Sequence, residues 1–273
     1  MAEELAARTA DGVTLRLDRV RAQGEARGAV VCLHAMMTDG RYFGARRPDG
    51  FVAALAARGL DVYVAEFRGH GRSQPPHAGK DGDWSFDDLV ELDLPAIVAA
   101  VPPGAVVLGH SLGGLVACAA LGTARIPPPR GLVLVTTSVW LGETRQRRAL
   151  MAAYRGVAQL AGKAPIRAFG LGSADESRTY VEQLTGWCRS GRWTSLRGLD
   201  YLAALSAIDV PAVAIAGGRD WMCRPADADR IAARISTCAP LEVIAGARHF
   251  DVFARDDVRD ALAATIRSRY SPT

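Results

Sequence analysis

Ser111 stands in Gly109-His110-Ser111-Leu112-Gly113, with Gly114 next. The apolar run Ala105-Val106-Val107-Leu108 leads into it, and the helix-like run Leu115 to Leu121 follows. A serine set between glycines at a strand-to-helix turn presents its hydroxyl for attack on an acyl carbon. Such a hydroxyl is a weak nucleophile at neutral pH. It needs a base to take its proton and a third group to hold that base in the right tautomer. In this strand–turn–helix setting the partners follow in the order serine, acid, histidine. Of the five histidines only His249 follows Ser111, in a loop after the run Leu241 to Ile244. His34, His70, His77 and His110 come earlier, and a structural role suits any of them. For the acid, Asp220 follows the run Ala212 to Ile215 through Gly217-Gly218-Arg219, at a strand's carboxyl end where side chains of an open α/β sheet converge. The alternative for Asp220 is a loop carboxylate paired with Arg219 or Arg224. Asp227 and Asp229 follow Pro225 and read as first-turn helix residues facing solvent. Acyl transfer also requires N–H donors for a developing oxyanion. The expected donors are the backbone of Leu112, directly after the nucleophile, and of Met36, in the loop after the run Ala29 to Leu33.

These residues need a scaffold, and the hydrophobic pattern supplies one. Val13 to Val20, after the Asp11-Gly12 turn signal, alternates with period two and predicts an antiparallel strand paired with the segment before the turn. From Ala29 the pattern changes to short continuous apolar runs at 29–33, 62–65, 105–108, 132–135, 212–215 and 241–244, as expected of parallel strands covered on both faces. Helix-period stretches lie between them. One is marked by Phe51, Leu55 and Leu60, and another opens at Ser85 with Asp88 three residues on, a capping-box pattern. The alternation predicts an α/β fold with a doubly wound, mostly parallel sheet and an antiparallel N-terminal hairpin. It is interrupted once, from about Trp140 to Ala207, where no convincing strand occurs and helix-like pieces surround Arg147 to Ala161 and Asp175 to Cys188. A structureless crossover of this length would be unusual. The expected organisation is therefore an α/β core of residues 1–138 and 208–273 with a helical cap, 139–207, inserted after the strand at 132–135.

Composition removes several function classes. The 273 residues are 49% hydrophobic and 23% charged, which describes a globular chain. A formal charge of +4, with the basic residues scattered along the sequence, does not favour nucleic acid as a partner. Cys32, Cys118, Cys188, Cys223 and Cys238 are odd in number, widely spaced and without a C-x-x-C pair, so reduced and mostly buried thiols are expected. No apolar stretch is long enough for a membrane span, and the N-terminal residues lack a basic head leading into an apolar run, so a cytoplasmic location is expected. Nothing calls for a metal or an organic cofactor.

Taken together, the His34 loop, Phe67-Arg68-Gly69-His70-Gly71-Arg72-Ser73, the Ser111 turn, Gly218-Arg219-Asp220 with Pro225 five residues on, and His249-Phe250 resemble the α/β-hydrolase superfamily over nearly the whole chain. The stretch Trp84 to Ala96, with Gly170-Leu171-Gly172 and Trp187-Cys188-Arg189, is similar to a poorly characterised bacterial branch of predicted hydrolases. The resemblance implies a triad of Ser111, Asp220 and His249 with Met36 and Leu112 as the oxyanion hole. Two positions depart from the family pattern. Ala35 stands where relatives usually carry glycine, which predicts a different backbone in the oxyanion loop, and Arg248 precedes the histidine where a small residue is usual.

The expected partner is a small-molecule ester, and the expected reaction is cleavage of a carboxylic ester of an apolar small or medium acyl group through an acyl-enzyme on Ser111. An acyltransferase, thioesterase or lactonase would use the same triad, and a non-catalytic binder would keep only the fold. A dehalogenase or epoxide hydrolase of this fold would be expected to carry aspartate at position 111. Candidate substrate contacts are His34, Met37 and His110 near the nucleophile and Trp140, Trp187 and Trp221 in or just after the cap. Aromatic and thioether side chains, Met222 among them, suit a deformable apolar wall. No lysine or arginine cluster marks a coenzyme site.

Overall fold

A computed structural model of the chain describes residues 2–45, 47–75, 78–79, 82–139 and 143–270. Its main sheet has eight strands. β1 (Glu3–Arg8) and β2 (Thr14–Val20) form the expected hairpin around Gly12. They are followed by β3 (Ala29–Leu33), β4 (Asp61–Glu66), β5 (Val106–His110) and β6 (Leu132–Val135). A small separate ladder pairs β7 (Lys163–Ala164) with β8 (Glu176–Ser177), and β9 (Ala212–Gly217) and β10 (Glu242–Ile244) complete the main sheet. The spatial order is β1-β2-β4-β3-β5-β6-β9-β10, antiparallel up to the β2–β4 pair and parallel from there on. The inner strands β3, β5, β6 and β9 are buried almost throughout, which is why they read as continuous apolar runs. β5 sits near the middle, so the turn at its end lies over the centre of the sheet's carboxyl edge.

Helix α1 (Phe51–Ala56) ends one turn before the Phe51–Leu55–Leu60 spacing suggests, because Gly59 takes φ 80° and turns the chain into β4. The Ser85–Asp88 capping box forms in both directions and starts α2 (Phe86–Asp88). A widened π-turn, Leu89–Asp93, then connects to α3 (Leu94–Ala99). Pro95 provides the reason for the widening: it lacks an N–H and its ring would clash with a carbonyl one turn back in a regular α-helix. The π-turn places Asp93 in the interior, where its carboxylate accepts from Arg68 N at 2.8 Å and Arg68 Nε at 2.7 Å. Arg68 also donates to Asp11 at 2.9 Å. This network ties the loop 67–73 to the helix layer and to the first hairpin.

After β5 come α4 (Leu112–Gly122) and β6, and then the interruption noted in the sequence. It contains α5 (Arg145–Ala161), capped by Thr144 and closed by Gly162, and α6 (Arg178–Ser190), capped by Ser177 and closed by Gly191. The β7–β8 ladder lies between these helices, too short to leave a period in the sequence. The segment ends with α7 (Tyr201–Ala204) and a 3-10 turn at Leu205–Ala207. Residues 139–207 hold ten Lys/Arg against five Asp/Glu, a formal +5, so the remainder of this +4 chain stands at −1. The basic residues are scattered along the whole chain, but the insertion is poor in acidic residues, so the net positive charge falls there. Phe86 packs edge-on against Trp187 at 4.9 Å and Tyr201 at 5.6 Å, and Trp193 joins the group, so the aromatics of the insertion anchor it to α2.

The chain closes with α8 (Pro225–Ala232), α9 (Asp251–Ala254) and α10 (Asp256–Tyr270). All five cysteines are free thiols, with Cys32, Cys118 and Cys223 buried. Among the described residues no helix is long and apolar enough to cross a membrane, and no group of three or more His, Cys, Asp or Glu is placed to hold a metal ion.

Burial pushes the Asp93 carboxyl up to about 6 against the opposing pull of Arg68. Removing that carboxylate leaves the buried guanidinium without its main partner. Asp93→Ala is expected to cost about 3–5 kcal/mol in urea unfolding; a loss under about 1 kcal/mol would mean that Asp11 alone sustains Arg68.

Candidate active site

Ser111 occupies the turn between β5 and α4 with φ 50° and ψ −108°, a backbone state that residues with a Cβ rarely adopt. Its N–H is held by the Val135 carbonyl at 2.9 Å. The flanking glycines are needed for space. A Cβ on Gly109 would stand 2.4 Å from Gly114 Cα, and one on Gly113 would stand 2.3 Å from the Leu33 carbonyl oxygen. The first turn of α4 therefore presses directly on β3.

Asp220 and His249 come from the loops after β9 and β10. Asp220 is buried. Its Oδ1 accepts from the N–H groups of Met222 (2.8 Å) and Cys223 (2.9 Å), and its Oδ2 lies 2.7 Å from His249 Nδ1. The carboxylate fixes Nδ1 as the protonated nitrogen, which leaves the Nε2 lone pair available. Nε2 is buried with no hydrogen-bond partner. It borders a cavity of about 20 Å³, space for about one water, lined by His249, Ser111, Leu112, Met36, Leu115, Ser138, Tyr180, Leu184, Met222 and Cys223. The structure thus brings Ser111, His249, Met36 and Leu112 around one space, with Asp220 behind His249.

The other sequence candidates fall elsewhere. Asp227 is buried, contrary to the solvent-facing expectation: it sits in the first turn of α8 and accepts from Arg224 at 2.7 and 2.9 Å. Arg224 is thereby engaged away from Asp220, and it also reaches Glu143 of the insertion. Arg248 is exposed, and its backbone N–H donates to Asp251 at 3.0 Å. His34 is fully buried. Its Nδ1–H donates to the Ala35 carbonyl at 2.8 Å, its Nε2 accepts from Phe67 N at 3.1 Å, and burial pushes its pKa down to about 3. Both nitrogens are committed to backbone, so His34 has none left for a substrate. His110 is also buried. It stacks on Tyr42 at 5.2 Å and donates from Nε2 to the His249 carbonyl at 3.1 Å, so it supports the histidine loop instead of lining the cavity. Trp187 donates to the Thr194 carbonyl at 2.8 Å within the insertion, and Trp221 is 58% exposed, so neither lines the cavity. Met37 does not line it either. Trp140 and His77 lie outside the described residues. Ser138, Leu115, Leu184 and Cys223 were not singled out in the sequence. Tyr180 and Leu184 could have been paired by their i, i+4 spacing on α6, whereas Ser138 carries no motif.

Ala35 shows how the loop manages without glycine. Ala35 has no left-handed φ; Met37 takes one instead, at 62°. The Ala35 carbonyl accepts from His34 Nδ1 (2.8 Å) and from Thr38 Oγ1 (2.9 Å). In a trans peptide the N–H points opposite to the carbonyl. The Met36 N–H is therefore turned away from His34 and Thr38.

Comparison with known proteins agrees with this architecture. The family described as serine aminopeptidase, S33, matches residues 24–253. No curated protein matches the sequence. Among solved structures, an esterase from Exiguobacterium antarcticum is 17% identical with a TM-score of 0.70, covering 96% of this chain and 97% of its own. A thermophilic esterase from Thermogutta terrifontis gives 17%, 0.71, 98% and 100%. An enol-lactonase from Burkholderia xenovorans gives 21%, 0.63, 97% and 99%. At these identities the likeness is one of fold.

The contact of Gly113 with β3 can be tested directly. Gly113→Ala is expected to lower stability by at least about 2 kcal/mol, because a backbone oxygen must be displaced. An unchanged denaturation midpoint would contradict that packing.

Proposed function

The chain belongs to the serine aminopeptidase, S33, family and has the α/β-hydrolase fold, and from that premise we propose that it is a serine hydrolase cleaving carboxylic esters of small or medium apolar acyl groups. One observation carries the reading: His249 Nδ1 is engaged by Asp220 while His249 Nε2, without a partner, faces the cavity it shares with Ser111. In this scheme Ser111 Oγ attacks the acyl carbon and its proton passes to His249 Nε2. Asp220 stabilises the imidazolium without taking the proton. The oxyanion is received by the N–H groups of Leu112 and Met36. Collapse of the tetrahedral intermediate breaks the bond to the alcohol, which leaves with the proton from His249. Water then repeats the sequence on the acyl-enzyme and returns Ser111.

The choice of acyl group rests on the cavity wall. Met36, Leu112, Leu115, Leu184 and Met222 are apolar, and the two thioethers can reshape to admit a chain. A cavity for one water cannot hold an acyl group, so residues 139–207 act as a cap whose α6, through Tyr180 and Leu184, gives way on substrate entry. A thioester substrate with a charged leaving group is a second reading, favoured by a groove of about 330 Å³ on the insertion whose lining includes Arg148, Arg189 and Arg192.

Three outcomes follow. Native protein should be labelled by a fluorophosphonate probe and Ser111→Ala should not; well-folded native protein that neither labels nor cleaves short p-nitrophenyl esters would indicate a ligand-binding role instead. Asp220→Asn should reduce kcat on those esters by about 10³–10⁴-fold with little change in melting temperature, since the imidazole loses its tautomer control; near-normal turnover would show that another carboxylate serves. Across a panel of esters, thioesters and lactones, kcat/KM should be highest for short apolar acyl esters, and a thioester optimum would favour the second reading.

A further inference from the structure

Glu176 is fully buried at the start of β8, and neither the triad nor the cavity wall uses it. Its Oε1 accepts the backbone N–H of Met37 and lies 3.2 Å from His70 Nε2. The Met37 carbonyl, on the other side of the same residue, accepts from the N–H of Ser173 at 2.9 Å and of Ala174 at 3.3 Å. The insertion thus grips both backbone polar groups of Met37, the residue that carries the left-handed φ of the oxyanion loop. A side-chain-bearing residue keeps such a conformation only where its surroundings impose it. Met37 follows Met36, whose N–H is the expected oxyanion donor, and Tyr180 Oη approaches Met36 Sδ at 4.0 Å.

His70 completes the arrangement. Its Nδ1 lies 2.8 Å from the Arg68 carbonyl and its Nε2 faces Glu176, so both ring nitrogens point at oxygen acceptors. Burial opposes the charged form, but the Glu176 carboxylate outweighs it and holds the imidazole above its ordinary value. The positive charge that these surroundings favour on His70 would offset a carboxylate lying close to the oxyanion loop.

We infer that Glu176 is a positioning residue: reaching from the insertion, it fastens Met37 so that the Met36 N–H is aimed for catalysis, and it couples seating of the insertion to completion of the oxyanion hole. The inference rests on the serine hydrolase reading. A hydrogen bond to a charged acceptor is stronger than a neutral one, and loss of one preorganised oxyanion donor costs about 10²–10³-fold in kcat.

The test compares Glu176→Gln, which keeps an acceptor oxygen, with Glu176→Met, which keeps the volume and loses the acceptor. For each variant, kcat and KM on p-nitrophenyl butyrate are measured beside the affinity for an alkyl trifluoromethyl ketone, whose serine adduct bears an oxyanion. Glu176→Met should lose about 10²-fold in kcat, with KM within threefold of native and the ketone weakened by a similar factor, while Glu176→Gln stays within about fivefold of native in kcat. A folded Glu176→Met with kcat and ketone affinity within threefold of native overturns the inference. So does a Gln variant as impaired as the Met variant, or a loss confined to KM. Should Glu176→Met fail to fold, Glu176→Asp replaces it with the same kcat-selective loss expected, because the shortened side chain withdraws the acceptor while retaining the charge beside His70. Ser111→Ala separates the two levels. If it remains active the hydrolase reading itself falls, whereas an inactive Ser111→Ala beside an unimpaired Glu176→Met removes only the role of Glu176.

Discussion

A serine held at φ 50° and ψ −108° between the central strand and its helix is the constraint around which the molecule is arranged. A residue with a Cβ stays there only if both flanks are immovable. β5 gives one rigid flank, locked between β3 and β6. α4 gives the other, pressed so close to β3 that Gly113 has no room for a methyl group. The buried apolar helix Leu112–Gly122 has little amphipathic character because it lies within the core and not at its surface. The strained turn is thus sustained by packing spread over the sheet, while Asp220 and His249 need only reach it from neighbouring strand ends.

Around that rigid centre, buried charge is consistently paired, and the pairs join parts of the chain that packing alone would leave independent. Arg68, Asp93 and Asp11 tie the loop after β4 to the widened helix and the first hairpin. His70 and Glu176 tie the same loop to the insertion. Arg224, Asp227 and Glu143 link α8 to the insertion's other end. Breaking such a pair is costlier than never having built it. These links therefore specify how the insertion sits more than they add to net stability.

Most of the sheet was legible because continuous apolar runs mark its buried strands and period-two alternation marks β2. The Ser111 turn and the Asp220 loop could be read from glycines after apolar runs, His249 from being the one histidine after Ser111, and the inserted helices from helix-like pieces between Gly- and Pro-containing turns. What was not legible depended on distance. Asp227 stands in a first turn where acidic residues usually meet solvent; Arg224 is a local partner three residues back, but only the fold brings Arg147 of the insertion to it. His110 adjoins the nucleophile in sequence and His34 opens the oxyanion loop, yet His34 spends both nitrogens on backbone and His110 turns its Nε2 to the His249 carbonyl. Glu176 shares no motif with Met37, 139 residues away, and a two-residue strand leaves no periodicity to reveal it. The substitution of alanine at 35 predicted a changed loop, yet not that the left-handed φ would move two residues along to Met37.

The uneven distribution of charge also affects encounter. The insertion carries a formal +5 and contributes Tyr180 and Leu184 to the wall of the cavity, while the rest of the chain is nearly neutral. A molecule built this way is an electric dipole whose positive pole lies on the side of the segment that contributes Tyr180 and Leu184 to the cavity wall. Anionic molecules would be drawn to that side first and neutral ones would arrive by unbiased diffusion, so added salt would slow the former and leave the latter unchanged. The dipole thus makes ionic strength a selector between two kinds of visitor before either has touched the serine.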